Sequence, residues 1–402
     1  MHSRLVPAYL TVFLDHVAFG LAAPTIPIAL TEISGDATSS AVLIGVSVSV
    51  FALAQLVASP VAGWCSDRWG RRRLLVVGSV LLSSGFLVMA AAQTASSFII
   101  GRSICGIGAA NAGVASAYVA DWTAPEERAR AYGWLGVAFG SAYVVAPAVG
   151  GFLGEINWRL PFAVGALVAM LNVVACKLLL KAPMPSLTAS PADVVEPRGI
   201  AKLQWRRLIL IAFLSSLANT VYPTALALLV MSRYQWNIKD VGALLGAVGI
   251  CTLIVQVAVY QWGARRFGPR LMLIFGLTCG IVGFVVYALA PTSGWFYAGV
   301  PIMALWAFGP PAVQSMLAEA ASARDAGRMQ GIHMATAAVA NLAGPAIFSL
   351  LLAVQLQGGT LLGSIAYPFL ASAFILAVAL ILSLTGLNDW SHCCSGPRRR
   401  GW

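Results

Sequence analysis

Twelve stretches of about 20 mainly apolar residues, each long enough to cross a bilayer as a helix, follow one another along this chain. They lie near 7–31, 41–62, 74–93, 97–119, 131–153, 159–180, 207–231, 241–262, 271–290, 294–318, 329–353 and 361–386. A helix satisfies its backbone hydrogen bonds internally, as hydrocarbon demands of anything that spans it. The pattern therefore predicts an all-α membrane protein with twelve transmembrane helices. It excludes a soluble enzyme and a disordered chain, because only 10% of the 402 residues are charged; soluble domains carry roughly 25%. The seven cysteines are scattered, and Cys65, Cys105, Cys176, Cys251 and Cys279 lie in or beside apolar stretches. There they read as small hydrophobes rather than a disulfide framework. Ser3 to Val6 leads straight into a span too long for a signal-peptide core, so no cleavable signal is expected.

The net charge of +11 does not point to nucleic acid, because the cations occupy short turns between apolar stretches. With the N-terminus placed in the cytoplasm, 21 of the 25 basic residues fall on the cytoplasmic side. Three (Arg159, Arg233, Lys239) fall outside, and Arg102 lies within a span. The positive-inside bias thus predicts a multi-pass protein of the inner (plasma) membrane with both termini cytoplasmic.

A single offset of 198 residues relates the two halves of the chain. Trp64, Arg68, Gly70, Arg72 and Leu75 recur as Trp262, Arg266, Gly268, Arg270 and Leu273. Asp121 recurs as Glu319, Arg130 as Arg328, Gly133 as Gly331 and Pro147 as Pro345. The expected organisation is a six-helix bundle over 1–181, a proline-rich cytoplasmic linker over 182–206, a second bundle over 207–388 and a tail over 389–402. Two parallel repeats of this kind are a transporter architecture, with the substrate site between them near the midplane. A duplicated structural scaffold is the alternative.

Four features depart from apolar filler. Asp15 lies about 12 Å into the first span at 1.5 Å per residue. Facing lipid, it would cost at least ~2.5–3.5 kcal/mol. It is expected to face a wet interior, where a carboxylate can bind and release a proton; a structural carboxylate is the other reading. His16 points about 100° away and need not share its site. Arg102 has Val300 as its repeat partner, so one half supplies the charge; the alternative is a side chain snorkelling to the surface. The turn Gly63-Trp-Cys-Ser-Asp67-Arg68-Trp-Gly70-Arg71-Arg72-Arg73 carries one acid among its cations. Asp67 suits the N-terminus of a neighbouring helix, a contact that rocking would break, and its counterpart in the second half is Arg265. The fifth span lines up Gly136, Gly140, Tyr143, Pro147, Gly151 and Gly154 on one helix face. Small faces permit close helix approach, and Pro147 bends the helix.

Together these segments resemble the major facilitator superfamily, and within it the twelve-span drug:proton antiporters. Gly63–Arg73 resembles the family's signature turn between helices 2 and 3. Arg102 with Gly106 and Gly108 resembles its helix 4 motif, whose arginine is linked to proton transfer. Pro147, Gly150 and Gly151 resemble the antiporter motif that marks exporters, although Ala146 stands where a glycine is usual. Leu14-Asp15, Gly20-Leu21, Pro24 and Pro27, and later Gln314-Ser315-Met316-Leu317 and Gly344-Pro345, are similar to tetracycline efflux proteins. Those proteins often carry acids in helices 3 and 9 and a histidine in helix 8. The corresponding stretches 81–90, 278–288 and 252–259 contain none, which leaves Asp15 and Arg102 as the proton-coupling candidates.

The resemblance implies a proton-coupled efflux antiporter, working as a monomer by alternating access. It would export a small-molecule drug, most readily tetracycline, and need no cofactor beyond the proton gradient; the cargo could be a drug–divalent metal chelate. Asp67 would close the cytoplasmic gate against the start of helix 11, near Arg328 to Gly331. Candidate pocket residues are Gln55, Asn111, Asn219, Tyr222, Gln256, Trp306, Gln314, His333 and Asn341, although each side chain could instead serve helix packing. The alternatives within transporters are an exporter of another amphiphilic drug and a sugar or metabolite porter. A membrane enzyme or sensor fits less well. One embedded acid is too few for catalysis, His2, His16, His333 and His392 have no metal-ligand spacing, and no stretch reads as an extra soluble domain. A lipidated tail at Cys393 and Cys394 is an alternative to a plain basic end.

Overall fold

The computed structural model describes residues 2–35, 37–123, 128–180, 202–320, 326–357 and 366–386. Twelve helices among them are long and apolar enough to cross a membrane. In chain order, spans 1 to 6 are Leu5–Ala22, Ser39–Trp69, Arg71–Ala90, Ala95–Asp121, Trp134–Ile156 and Leu160–Leu179. Spans 7 to 12 are Trp205–Tyr234, Ile238–Ala264, Arg266–Leu289, Ser293–Leu317, Ala335–Gln355 and Tyr367–Thr385. The expected linker lies mostly outside the described residues, as does the tail. The first expected span, 7–31, is two helices. The chain turns after Ala22 and resumes helix at Ile26–Ser34, because Pro24 cannot donate a backbone bond and Pro27 fits a first helical turn.

The repeat is visible in the backbone. Gly70 and Gly268, 198 residues apart, both have positive φ, 91° and 79°. Gly70 reverses the chain between spans 2 and 3, and Gly268 breaks the helix near the start of span 9, each in a conformation that favours glycine. Span 4 breaks between Gly108 and Asn111, and span 10 has a 3-10 turn at Leu305–Phe308. The break in span 1 after Ala22 answers a π-helical turn at Tyr222–Leu226 in span 7.

Each half packs its own core. The second half buries Phe284, Tyr287, Phe296 and Phe369 together, with Tyr287 and Phe296 stacked at 4.1 Å. The first half buries Phe86, Phe98 and Phe162 in one cluster and Leu75, Tyr118 and Cys176 in another. Two residues cross over. Ala41 joins the core of the second half, and Leu228 packs on that of the first. Both lie at the end of their spans remote from the arginine-rich turns, here called the far end; the opposite end is the basic end.

The halves meet through spans 2 and 11 and through spans 5 and 8, and the contact is graded. A Cβ on Gly151 would lie 2.8 Å from the Ile238 carbonyl oxygen and 2.9 Å from Gly242 Cα. One on Gly249 would lie 2.7 Å from the Tyr143 carbonyl oxygen. Spans 2 and 11 close in the same way: Ser49 donates to the Leu342 carbonyl at 3.1 Å, and a Cβ on Gly45 would overlap Ser349. Towards the basic end the surfaces part. A Cβ on Gly140 would find only Leu253, at 3.8 Å, and on Gly136 or Gly63 nothing within 4 Å. Among the described residues, the halves are in contact at the far end and apart at the basic end.

Candidate transport site

Asp15 sits inside the first bundle. It is 5% exposed and does not face the opening between the halves, which corrects the expectation of a wet position. Asn172 of span 6 donates to its Oδ1 at 2.8 Å, and Asn111 of span 4 donates to its Oδ2 at 3.2 Å. Both amides also reach the Ser79 hydroxyl of span 3 at 3.2 Å, and Asn172 reaches the Thr11 carbonyl at 3.2 Å. The knot ties four spans together. Gly78 admits the Asn111 amide, since a Cβ there would overlap it. Hydrogen bonds to a charged acceptor contribute about 1.5–3 kcal/mol each, enough to offset the cost of insertion. Asn111 is therefore a member of this knot and not of the pocket wall. Asn172 and Ser79 were absent from the expected site. Asn172 had the same signal as Asp15, a strongly polar residue in an otherwise apolar stretch.

Arg102 has no contact with Asp15. It lies nine residues before Asn111 on span 4, or ~13 Å along a helix axis. It is 6% exposed, so it does not snorkel to the surface, and its guanidinium lies over the Phe51 ring at 4.4 Å.

The signature turn is a charge network at the basic end of the first half. Asp67 pairs with Arg71 at 2.6 Å, and Arg71 pairs with Asp121 at 3.1 Å and donates to the Ser66 hydroxyl. Arg72 donates to the Lys177 carbonyl near the end of span 6. Arg68 lies over the Trp64 ring at 4.8 Å. Asp67 itself is 63% exposed. The expected partner near Arg328 to Gly331 has side chains outside the described residues.

Of the antiporter-motif residues, Pro147 and Gly151 stand where the halves touch, Gly150 packs within the first half, and Gly136 and Gly140 lie where the halves part. Gly150 faces the backbone of Leu21 in span 1, Gly151 faces Gly242 in span 8, and the Pro147 carbonyl meets Gly242. Each lets backbones approach closer than a side chain would permit.

The other candidates divide. Gln55 donates to the Ala109 carbonyl at 3.3 Å, where span 4 breaks. Asn219, Gln256, Gln314 and Asn341 are exposed. Gln256 continues the stripe of span 8 that faces span 5, one turn beyond Leu253, where the halves part. Asn341 continues the stripe of span 11 that carries Pro345 and Ser349. Tyr222 and Trp306 flank Phe284 at 6.1 and 5.4 Å. Among the described residues, Trp306 Nε1 and His333 Nδ1 are enclosed with no hydrogen-bond partner. A row of rings in the first half was not expected. His16 lies 4.2 Å from Phe139, Phe139 5.2 Å from Tyr143, and Phe19 5.5 Å from Phe51. Rings in an apolar span look like core filler, so no sequence signal marked Phe19, Phe51 or Phe139. His16 does leave Asp15 for this other surface, as its angular position implied.

The profile described as Major Facilitator Superfamily matches residues 8–208 and again 208–389. Tetracycline resistance protein, class C, of Escherichia coli is 31% identical over 356 residues, 86% of this chain and 88% of that protein. The class G protein of Vibrio anguillarum is 32% identical over 360 residues, 87% of this chain and 91% of that protein. Among solved structures, a D-xylose-proton symporter superposes with a TM-score of 0.77 at 16% identity, covering 95% of this chain and 98% of that one. With twelve spans in two repeated halves and family matches across both, the chain belongs to the major facilitator superfamily of membrane transporters.

Proposed function

We propose that this transporter is a proton-coupled exporter of tetracycline, working as a monomer by alternating access in the inner (plasma) membrane with both termini cytoplasmic. The observation that carries the reading is the one-sided contact between the halves. Glycines of spans 5 and 8 close the far end, while the basic end, which the positive-inside bias places in the cytoplasm, is open. A drug would enter the gap between the halves from the cytoplasm and leave once the far end opens. Likeness to tetracycline resistance proteins over most of the chain supports the substrate. The drug is cargo whether free or as a divalent metal chelate.

Asp15 is the proton-binding group in this reading. Ionised, it accepts from Asn111 and Asn172. Protonation turns one carboxyl oxygen into a donor that faces an amide donor, so one hydrogen bond must be remade. Because the knot joins spans 1, 3, 4 and 6, its rearrangement shifts the packing of the whole first bundle. A change of about 1.5–3 kcal/mol is enough to move a two-state population by one to two orders of magnitude. Asp67, paired with Arg71 but 63% exposed at the open end, engages the second half when it closes.

Drug susceptibility in an efflux-deficient bacterium tests the reading. Expression of the chain should raise tolerance to tetracycline, and Asp15→Asn should lose it. No resistance at good expression would reject the substrate, and full resistance in the variant would clear Asp15 of coupling.

A further inference from the structure

Arg102 is a buried cation that the protein does not neutralise. It is 6% exposed, its Nε is enclosed with no acceptor, and among the described residues no carboxylate pairs with it. Asp15 is engaged by two asparagines, Asp67 and Asp121 by Arg71, and Glu155 by Lys239. An uncompensated buried charge costs several kcal/mol. The contact with the Phe51 face offers about 0.5–2 kcal/mol and does not offset it. A guanidinium in that condition is complementary to an anion.

Its surroundings say what kind of anion. Gly106, one turn along span 4, lets that span press on span 2, since a Cβ there would lie 2.9 Å from Ala54 Cβ. This close approach brings Arg102 alongside Phe51. From Phe51 the rings run on through Phe19 to span 1, where His16 leads to Phe139 and Tyr143 at 4.2 and 6.1 Å. Tyr143 also lies within electrostatic reach of Arg102. Phe139 and Tyr143 are 48% and 37% exposed, and the Tyr143 carbonyl touches span 8. The strip therefore borders the gap between the halves, with a positive charge at one edge. Aromatic surfaces favour stacked or edge-on rings.

We propose that Arg102 is an anion-binding site that takes the ionised oxygen of a planar, fused-ring substrate whose rings lie along Phe139 and Tyr143. The identity of the substrate rests on the drug-export reading; the anion site does not. A free inorganic anion offers the same charge, and the two sources give different results.

The full-length protein in lipid nanodiscs is measured in chloride and in gluconate at equal ionic strength. Tetracycline binding is followed by its fluorescence and stability by thermal unfolding, for the wild type, Arg102→Gln and Arg102→Lys. If the substrate supplies the anion, Arg102→Gln weakens tetracycline binding about tenfold or more, the loss expected for one charge-assisted hydrogen bond. Arg102→Lys keeps part of the affinity, and chloride competes with the drug. If tetracycline does not bind but chloride raises the unfolding temperature of the wild type and the Lys variant and not of the Gln variant, the anion site stands and the drug reading fails. A wild type indifferent to chloride, with tetracycline affinity equal in wild type and Arg102→Gln, overturns the proposal. The chloride comparison on wild type needs no variant, so if Arg102→Gln fails to fold, a wild type whose stability and drug binding are both indifferent to chloride still overturns it.

Discussion

Gly151→Ala should trap the transporter away from the arrangement seen here. The added Cβ would lie 2.8 Å from the Ile238 carbonyl oxygen and 2.9 Å from Gly242 Cα, against 3.4–4 Å for ordinary contact. Both neighbours are backbone, so no side chain can swing aside and spans 5 and 8 must separate. Overpacking of this kind costs about 1–3 kcal/mol. The clash arises only where the far end is closed, so the cost falls on the open-to-basic-end state alone. A difference of that size shifts the balance between states roughly 5- to 150-fold. The assay is double electron–electron resonance between spin labels at Trp69 and Phe267, exposed residues at the basic end of each half, in a background freed of native cysteines. The variant should show shorter distances and slower transport. Gly113→Ala, where a Cβ meets nothing within 4 Å, should change neither. An unaltered distance distribution with wild-type transport in Gly151→Ala would refute the link between this contact and the conformational cycle.

Three further outcomes are expected. Asp67→Asn should leave thermal stability within ~1 kcal/mol, because Asp67 is 63% exposed and Arg71 keeps its pair with Asp121, while transport falls; normal transport would remove Asp67 from the gate. Asn172→Leu should lower stability by about 1.5–3 kcal/mol through loss of its bond to Asp15, read as a fall in the unfolding temperature; an unchanged temperature would show that the knot does not stabilise the bundle. Gly70→Ala and Gly268→Ala should each cost about 1–3 kcal/mol, purely from the backbone, since a Cβ at either meets nothing within 4 Å. Unfolding curves indistinguishable from wild type would contradict that.

The span pattern was legible because length and apolarity are one-dimensional properties, and twelve helices answer the twelve stretches. The repeat was legible because Trp64, Arg68 and Gly70 recur in register, and Gly70 and Gly268 share their unusual φ. The surroundings of Asp15 were not. A carboxylate in a span announces that it needs partners, but which side of the helix meets them depends on packing, and spans 3, 4 and 6 supplied them. Asn172 was open to the rule that flagged Asp15. The ring strip was hidden because Phe19, Phe51 and Phe139 have the spacing and chemistry of core residues. That the halves part at the basic end is a property of one conformational state, which a sequence shared by all states does not specify.

Uptake of radiolabelled tetracycline into everted membrane vesicles carrying the chain, with an imposed inside-acid proton gradient, tests proton-driven export most directly. Accumulation that appears with the gradient, collapses with a protonophore and is lost in Asp15→Asn is the predicted result. Equal uptake with and without the gradient, or none from well-inserted protein, would contradict it.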